Sequence, residues 1–125
     1  MKDYLVDTCV WIEWVTGGPL QSQFAAYLKD EEHVIVPALV QAELFKWLLR
    51  EKTEALAFSI IGVTAQCQVI VLDTAIALLA AELGLKHKLA LADSIIYATA
   101  QHCQATLLTC DEHFKGLENV IYFPK

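Results

Sequence analysis

The sequence predicts a three-layer α/β/α sandwich with a mainly parallel central sheet. Two observations carry this. Short, largely apolar runs recur at 4–6, 33–36, 68–72, 106–108 and 119–123. Between most of them lie segments with helical spacing or helix-capping residues. Short apolar strands alternating with helices indicate parallel strands covered on both faces. The chain has 125 residues, which fits a single domain spanning 1–125 with a substantial core.

The elements follow in order. Tyr4, Leu5 and Val6 suit a first strand, and Thr8 can cap a short helix running through Trp14. The break "TGGP" at 16–19 leads to an amphipathic helix over 20–30, with Leu20 and Phe24 on one side. "HVIV" at 33–36 is a strand, and Pro37 fits the first turn of a helix reaching about Arg50. Thr53 caps a helix to about residue 66, and "QVIVL" at 68–72 is the next strand. Asp73 or Thr74 caps a helix that ends at Gly84. A helix over 91–103 and strands at 106–108 and 119–123 complete the chain.

Composition narrows the function classes. Hydrophobic residues make up 56%, which argues against disorder and favours apolar surface hidden against a partner. The formal net charge of −6 argues against bulk electrostatic binding of nucleic acid, though not against a local site that works through a metal. Cys9, Cys67, Cys103 and Cys110 form no C-x-x-C pair, as expected of buried thiols in a reducing compartment. The start "MKDYLVDTCVW" is unlike a signal peptide, and runs such as 55–65 are too short to span a bilayer. A cytoplasmic protein without membrane association is expected.

The acids carry the chemistry. In parallel α/β sheets, ligands bind beyond the carboxyl ends of the strands. Asp7 ends the first strand, and Asp111 follows the strand at 106–108, so both belong to one rim. On their helices, Glu43 interrupts an apolar face containing Leu39, Val40 and Trp47, and Asp93 has Ile96 and Tyr97 beside it. Asp93 also lies in a first helical turn, where the dipole favours an anion. Each acid has an ordinary structural alternative. Asp7 could cap a helix, Glu43 could pair with Lys46, Asp93 could be a plain helix-start acid, and Asp111 a turn residue. Together, however, clustered carboxylates repel one another and raise at least one pKa unless a cation lies between them. A hard divalent ion such as Mg²⁺ meets that need.

"YLVDTCVWIEW", "VPALVQAEL", "LADSIIYATA" and "TLLTCDEHF" resemble, in order and spacing, the four acidic motifs of PIN-domain ribonucleases of the VapC toxin type. The resemblance covers essentially the whole chain. It implies a Mg²⁺-dependent (or Mn²⁺-dependent) endoribonuclease that hydrolyses RNA through metal-activated water, leaving a 5′-phosphate and a 3′-hydroxyl. The implied metal site is Asp7, Asp93 and Asp111, with Glu43 orienting the water or a second ion. Thr8 and Thr109 are the supporting hydroxyls. The implied partner is a VapB-like antitoxin, whose basic segment would cover grooves near 8–15 and 39–50. The apolar share and the spacing of Trp11 and Trp14 add a homodimer and a toxin–antitoxin hetero-oligomer.

Other constellations are weaker. Lys46, Arg50, Lys86 and Lys88 are candidates for flanking phosphates, although solvated helix faces explain each. Cys110-x-x-His113 and His102-Cys103 lack the second ligand pair that zinc requires. Trp11, Trp14 and Trp47 suit packing better than base stacking. A catalytically silent PIN-fold domain acting through a protein partner is the alternative. A phosphotransfer receiver or aspartate-nucleophile phosphatase fits poorly, because Asp7 is followed by Thr8 and Cys9 rather than a further acid.

Overall fold

The computed structural model describes residues 2–125. Five parallel strands, β1 (Tyr4–Val6), β2 (Val34–Pro37), β3 (Gln68–Ile70), β4 (Thr106–Thr109) and β5 (Val120–Tyr122), form one sheet in the order β3-β2-β1-β4-β5. Helices α1 (Thr8–Thr16) and α2 (Gln21–Leu28) join β1 to β2, and α3 (Ala38–Glu51) and α4 (Glu54–Ala65) join β2 to β3. Helices α5 (Thr74–His87) and α6 (Leu91–His102) carry the chain back across the sheet to β4. Right-handed crossovers running in opposite directions put the first four helices over one face and the last two over the other. The packing follows: α1 meets α2 and α3, α3 meets α4, and α5 meets α6. The result is the three-layer sandwich expected from the sequence.

Central strands covered on both faces need apolar residues at successive positions. Leu5, Val6, Ile35, Val36, Leu107 and Leu108 are all buried. Leu5 registers with Leu107 and Val6 with Leu108. From β1 the chain turns toward β2 and β3, while β4 and β5 build the opposite side. The connections therefore diverge between β1 and β4, and a crevice opens at their carboxyl ends. No described helix is long and apolar enough to cross a membrane.

Several boundaries differ from the sequence expectation, each for a physical reason. Asp7, not Thr8, is the N-cap of α1, because its side chain accepts the Thr8 N–H at 2.8 Å. Pro37 closes β2 and precedes α3 instead of entering its first turn, since its ψ of 142° is extended. Strand β3 stops at Ile70, the partner of Pro37, because beyond that point the neighbouring chain has become α3. Val71 and Leu72 are left exposed. Helix α5 runs past Gly84 to His87 and turns at Lys88, whose φ is 57°. Gly84 does not stop the helix. A Cβ there would lie 2.6 Å from Ser94 Oγ, so its missing side chain lets α5 press against α6.

Truncating the central strands should cost far more than truncating the outer helices. Leu107→Ala should lower stability by about 2–5 kcal/mol. Leu78→Ala, at a side chain 64% exposed, should change it by less than about 0.5 kcal/mol. Urea unfolding of the two variants checks the difference.

Candidate active site

Asp7 is brought to the crevice by the end of β1. Its backbone N–H donates to Leu108 O at 3.0 Å, which extends the β1–β4 ladder by one step. The side chain is 5% exposed. Its Oδ1 accepts the Thr8 N–H at 2.8 Å, and its Oδ2 accepts the Thr109 hydroxyl at 2.7 Å. Thr109 is itself fixed, because its Oγ1 accepts the Asp111 N–H at 2.9 Å. One hydroxyl thus ties the acid after β1 to the acid after β4. Asp111 in turn caps the 3-10 turn Glu112–Phe114 by accepting the His113 N–H at 2.9 Å.

The other two acids arrive on helices. Val40, Leu44 and Leu48 bury one stripe of α3. Glu43 stands beside that stripe, and its Oε1 accepts the Thr8 hydroxyl at 2.7 Å. Among the described residues it makes no ion pair with Lys46. Asp93 lies in the first turn of α6, whose N-cap Ala90 supplies no side-chain bond.

Asp7, Glu43, Asp93 and Asp111 line one cavity of about 250 Å³ with Thr8, Cys9, Ile12 and Ile96. A larger cavity of about 470 Å³, lined by Lys2, Gln101, Thr106 and Asn119, sits at the opposite end of β4. It holds a single carboxylate, Glu118, and no converging acids. Chemistry rather than volume therefore singles out the smaller one.

Burial is the first cause of the electrostatic strain. It pushes Asp7 up to about 6, against the pull of its Thr109 and Thr8 hydrogen bonds, and Glu43 and Asp111 add repulsion. Asp93 is also raised, first by burial and then by Asp111, with His113 opposing. Repulsion among the acids therefore contributes, but second to desolvation. No Lys or Arg ion-pairs with any of the four among the described residues. Among the described residues the nitrogen nearest them in a side-chain ring is that of His113, with Nδ1 2.9 Å from Asp111 Oδ1 and 3.5 Å from Asp93 Oδ2. Ligand atoms of Asp93, Asp111 and His113 all lie within 4.8 Å of one another. This donor set fits a divalent ion, with Asp7 and Glu43 facing the same space.

A scan against protein-family models matches the PIN domain over residues 4–119. The chain belongs to the PIN domain family. Solved structures share its fold. A toxin–antitoxin complex from Klebsiella pneumoniae aligns with a TM-score of 0.81 at 23% identity, covering 95% of this chain and 96% of that one. FitAcB from Neisseria gonorrhoeae gives 0.70 at 26% identity, covering 97% and 96%. Mycobacterium tuberculosis VapC20, described as a Sarcin-Ricin loop cleaving toxin, gives 0.74 at 15%, covering 93% and 95%. Among curated protein sequences there is no significant match.

The PIN fold also sorts the weaker candidates. Among the described residues, no lysine or arginine lines the acidic cavity. Lys86 lines a separate one with His87, Tyr97 and Gly116. Trp11 is buried in the core and meets Trp14 edge-on at 5.8 Å. On sequence spacing His113 pairs only with Cys110 as a zinc candidate, yet its ring turns toward the acids. Its place two residues after Asp111, across a tight turn, was the available signal. A second group of close ligand atoms, Asp30, Glu32 and His33, lies before β2, at the opposite rim of the sheet.

The raised Asp7 pKa has a defined sign. The folded form binds a proton more tightly than the unfolded chain, so this contribution to stability is complete below about 3.8 and is lost as pH rises through about 6. The loss is roughly 3 kcal/mol. In the presence of EDTA, wild type should therefore weaken across that window more than Asp7→Asn, which cannot ionise. Urea midpoints at pH 4 and pH 7 check it; parallel pH profiles would contradict it.

Proposed function

We propose that this PIN domain is a divalent-cation-dependent endoribonuclease, a VapC-like toxin restrained by a VapB-like antitoxin. The observation that carries this reading is the convergence of Asp7, Glu43, Asp93 and Asp111 on one cavity that, among the described residues, no lysine or arginine lines. Membership of the PIN family supports a nuclease, and the fold shared with a toxin–antitoxin complex supports a protein partner.

Asp7, Asp93 and Asp111 would hold Mg²⁺ or Mn²⁺, with His113 at the exposed edge. Bound there, the ion would neutralise the phosphate and lower the pKa of a water. The rest falls to the chain. Thr109 fixes the Asp7 carboxylate and the Asp111 backbone together. Thr8 holds one oxygen of Glu43 and leaves the other to orient a water. Burial of Asp7 keeps the surrounding dielectric low, so its attraction for a cation is weakly screened. The acids also favour an Arg or Lys from an antitoxin tail, since charge-assisted pairs are strong. Exposed Leu78, Leu85 and Leu91 on α5 and α6 are consistent with a homodimer within a toxin–antitoxin hetero-oligomer.

RNA cleavage should require Mg²⁺ or Mn²⁺ and stop in EDTA. Asp7→Asn and Asp93→Asn should each slow it by about 100-fold or more, because charge stabilisation of the reacting phosphate is lost. Gel analysis of RNA incubated with purified variants checks this. Cleavage persisting in EDTA or in both variants would overturn the mechanism and favour the silent binding domain.

Metal should also stabilise the fold. At a Mg²⁺ concentration 100 times its Kd, the native state should gain about 2.7 kcal/mol. A melting temperature indifferent to Mg²⁺ at pH 7.5 would count against the site.

A further inference from the structure

Two cysteines from opposite ends of the chain meet at the acidic cavity. Cys9 stands two residues after Asp7, and Cys110 lies between Thr109 and Asp111. The Cys110 backbone N–H donates to Cys9 Sγ at 3.1 Å. The N–Cα bond then places the Cys110 Cα within about 4.6 Å of that sulfur. From that Cα, the Cys110 Cβ and Sγ and one S–S bond of about 2.05 Å are enough to reach the Cys9 sulfur. Both thiols are free and partly exposed. Cys9 Sγ also lies 3.6 Å from Thr109 Oγ1 and 3.8 Å from Asp7 Oδ2. It therefore touches the two side chains that bind the strand ends together. Cys67, by contrast, donates to Val63 O at 3.7 Å within its own helix end. Two accessible cysteines side by side, one able to resolve the oxidised form of the other, are the arrangement that responds to peroxide.

We propose that Cys9 and Cys110 are a redox modification site, joined into a disulfide by a hydroperoxide, and that the cross-link weakens divalent-ion binding in the adjoining cavity. The Cys110 sulfur attacks one peroxide oxygen. The O–O bond breaks, the sulfur becomes a sulfenic acid, and with hydrogen peroxide the other oxygen leaves as water. The Cys9 sulfur then attacks the Cys110 sulfur. The S–O bond breaks and a second water leaves with the Cys9 proton. Two thiols and one hydrogen peroxide thus give one disulfide and two waters, with sulfur oxidised and peroxide oxygen reduced. Closing the S–S bond draws Cys9 Sγ from the Thr109 hydroxyl and the Asp7 carboxylate. It also ties the start of α1 to the segment that carries Asp111. Both acids belong to the proposed metal site, so the consequence for metal rests on that reading, while the cross-link itself does not.

The test treats the full chain with hydrogen peroxide, maps cross-linked peptides by mass spectrometry, and measures Mn²⁺ affinity by electron paramagnetic resonance. The expected result is a Cys9–Cys110 peptide lighter by two hydrogens, absent in Cys9→Ser and in Cys110→Ser. Affinity for Mn²⁺ should fall by about tenfold or more, as for loss of residues that support metal ligands, and dithiothreitol should restore it. Peroxide that oxidises Cys67 or Cys103 without forming this cross-link would overturn the proposal. So would a cross-linked protein with unchanged Mn²⁺ affinity. If the reduced protein binds no Mn²⁺, the metal reading fails and takes the regulatory step with it, while the peptide map still decides the cross-link.

Discussion

Removing a carboxylate from water costs several kcal/mol unless donors or a cation meet it. Asp7 is buried at the end of the central strand, and the structure answers this cost with two donors, the Thr8 N–H and the Thr109 hydroxyl. Those bonds do not offset the burial, because the Asp7 pKa remains raised to about 6. The rest of the site is built around that deficit. Thr109 must stand at the end of β4 to reach Asp7, and it then fixes the Asp111 backbone. Thr8 must follow Asp7 into α1, and its hydroxyl then reaches Glu43 on α3. A single buried charge thereby coordinates two strands and two helices.

The sheet order makes this possible. Because β1 lies between β2 and β4, its carboxyl end faces the point where connections diverge. Asp7 therefore has an open crevice on one side and a closed core on the other. Trp11 and Phe24 fill the core, and both are buried. Gly84 contributes at a distance: its missing Cβ lets α5 lie close to Ser94 of α6, the residue after Asp93. The packing of two outer helices thus bears on where the third acid sits. Stability and proposed function compete here, since the fold holds uncompensated acids that a metal or a basic partner could neutralise.

Much of this was legible in the sequence. Short, largely apolar runs separated by helices gave the layered architecture, because strands buried on both faces have little room for polar residues. The four acids were legible because each occupies a place where an acid is expensive or follows a strand end. What was not legible depends on contacts across the chain. The Asp7 carboxylate that caps α1 also accepts from Thr109, 102 positions away. No local pattern encodes that bond. Gly84 reads as a helix stop, whereas its role is set by Ser94 on another helix. His113 reads as a zinc partner of Cys110 on spacing, yet the turn capped by Asp111 carries its ring to Asp93 and Asp111. Cys9 and Cys110 look scattered along the chain, and parallel pairing of β1 with β4 brings them together.

The account turns on one claim, that the four acids around the crevice form a divalent-ion site. The most direct measurement is an anomalous difference map from crystals of the protein grown with Mn²⁺. The account predicts a peak among Asp7, Asp93 and Asp111 at the carboxyl ends of β1 and β4. A peak confined to Asp30, Glu32 and His33 at the other rim, or none at all at saturating Mn²⁺, would contradict it.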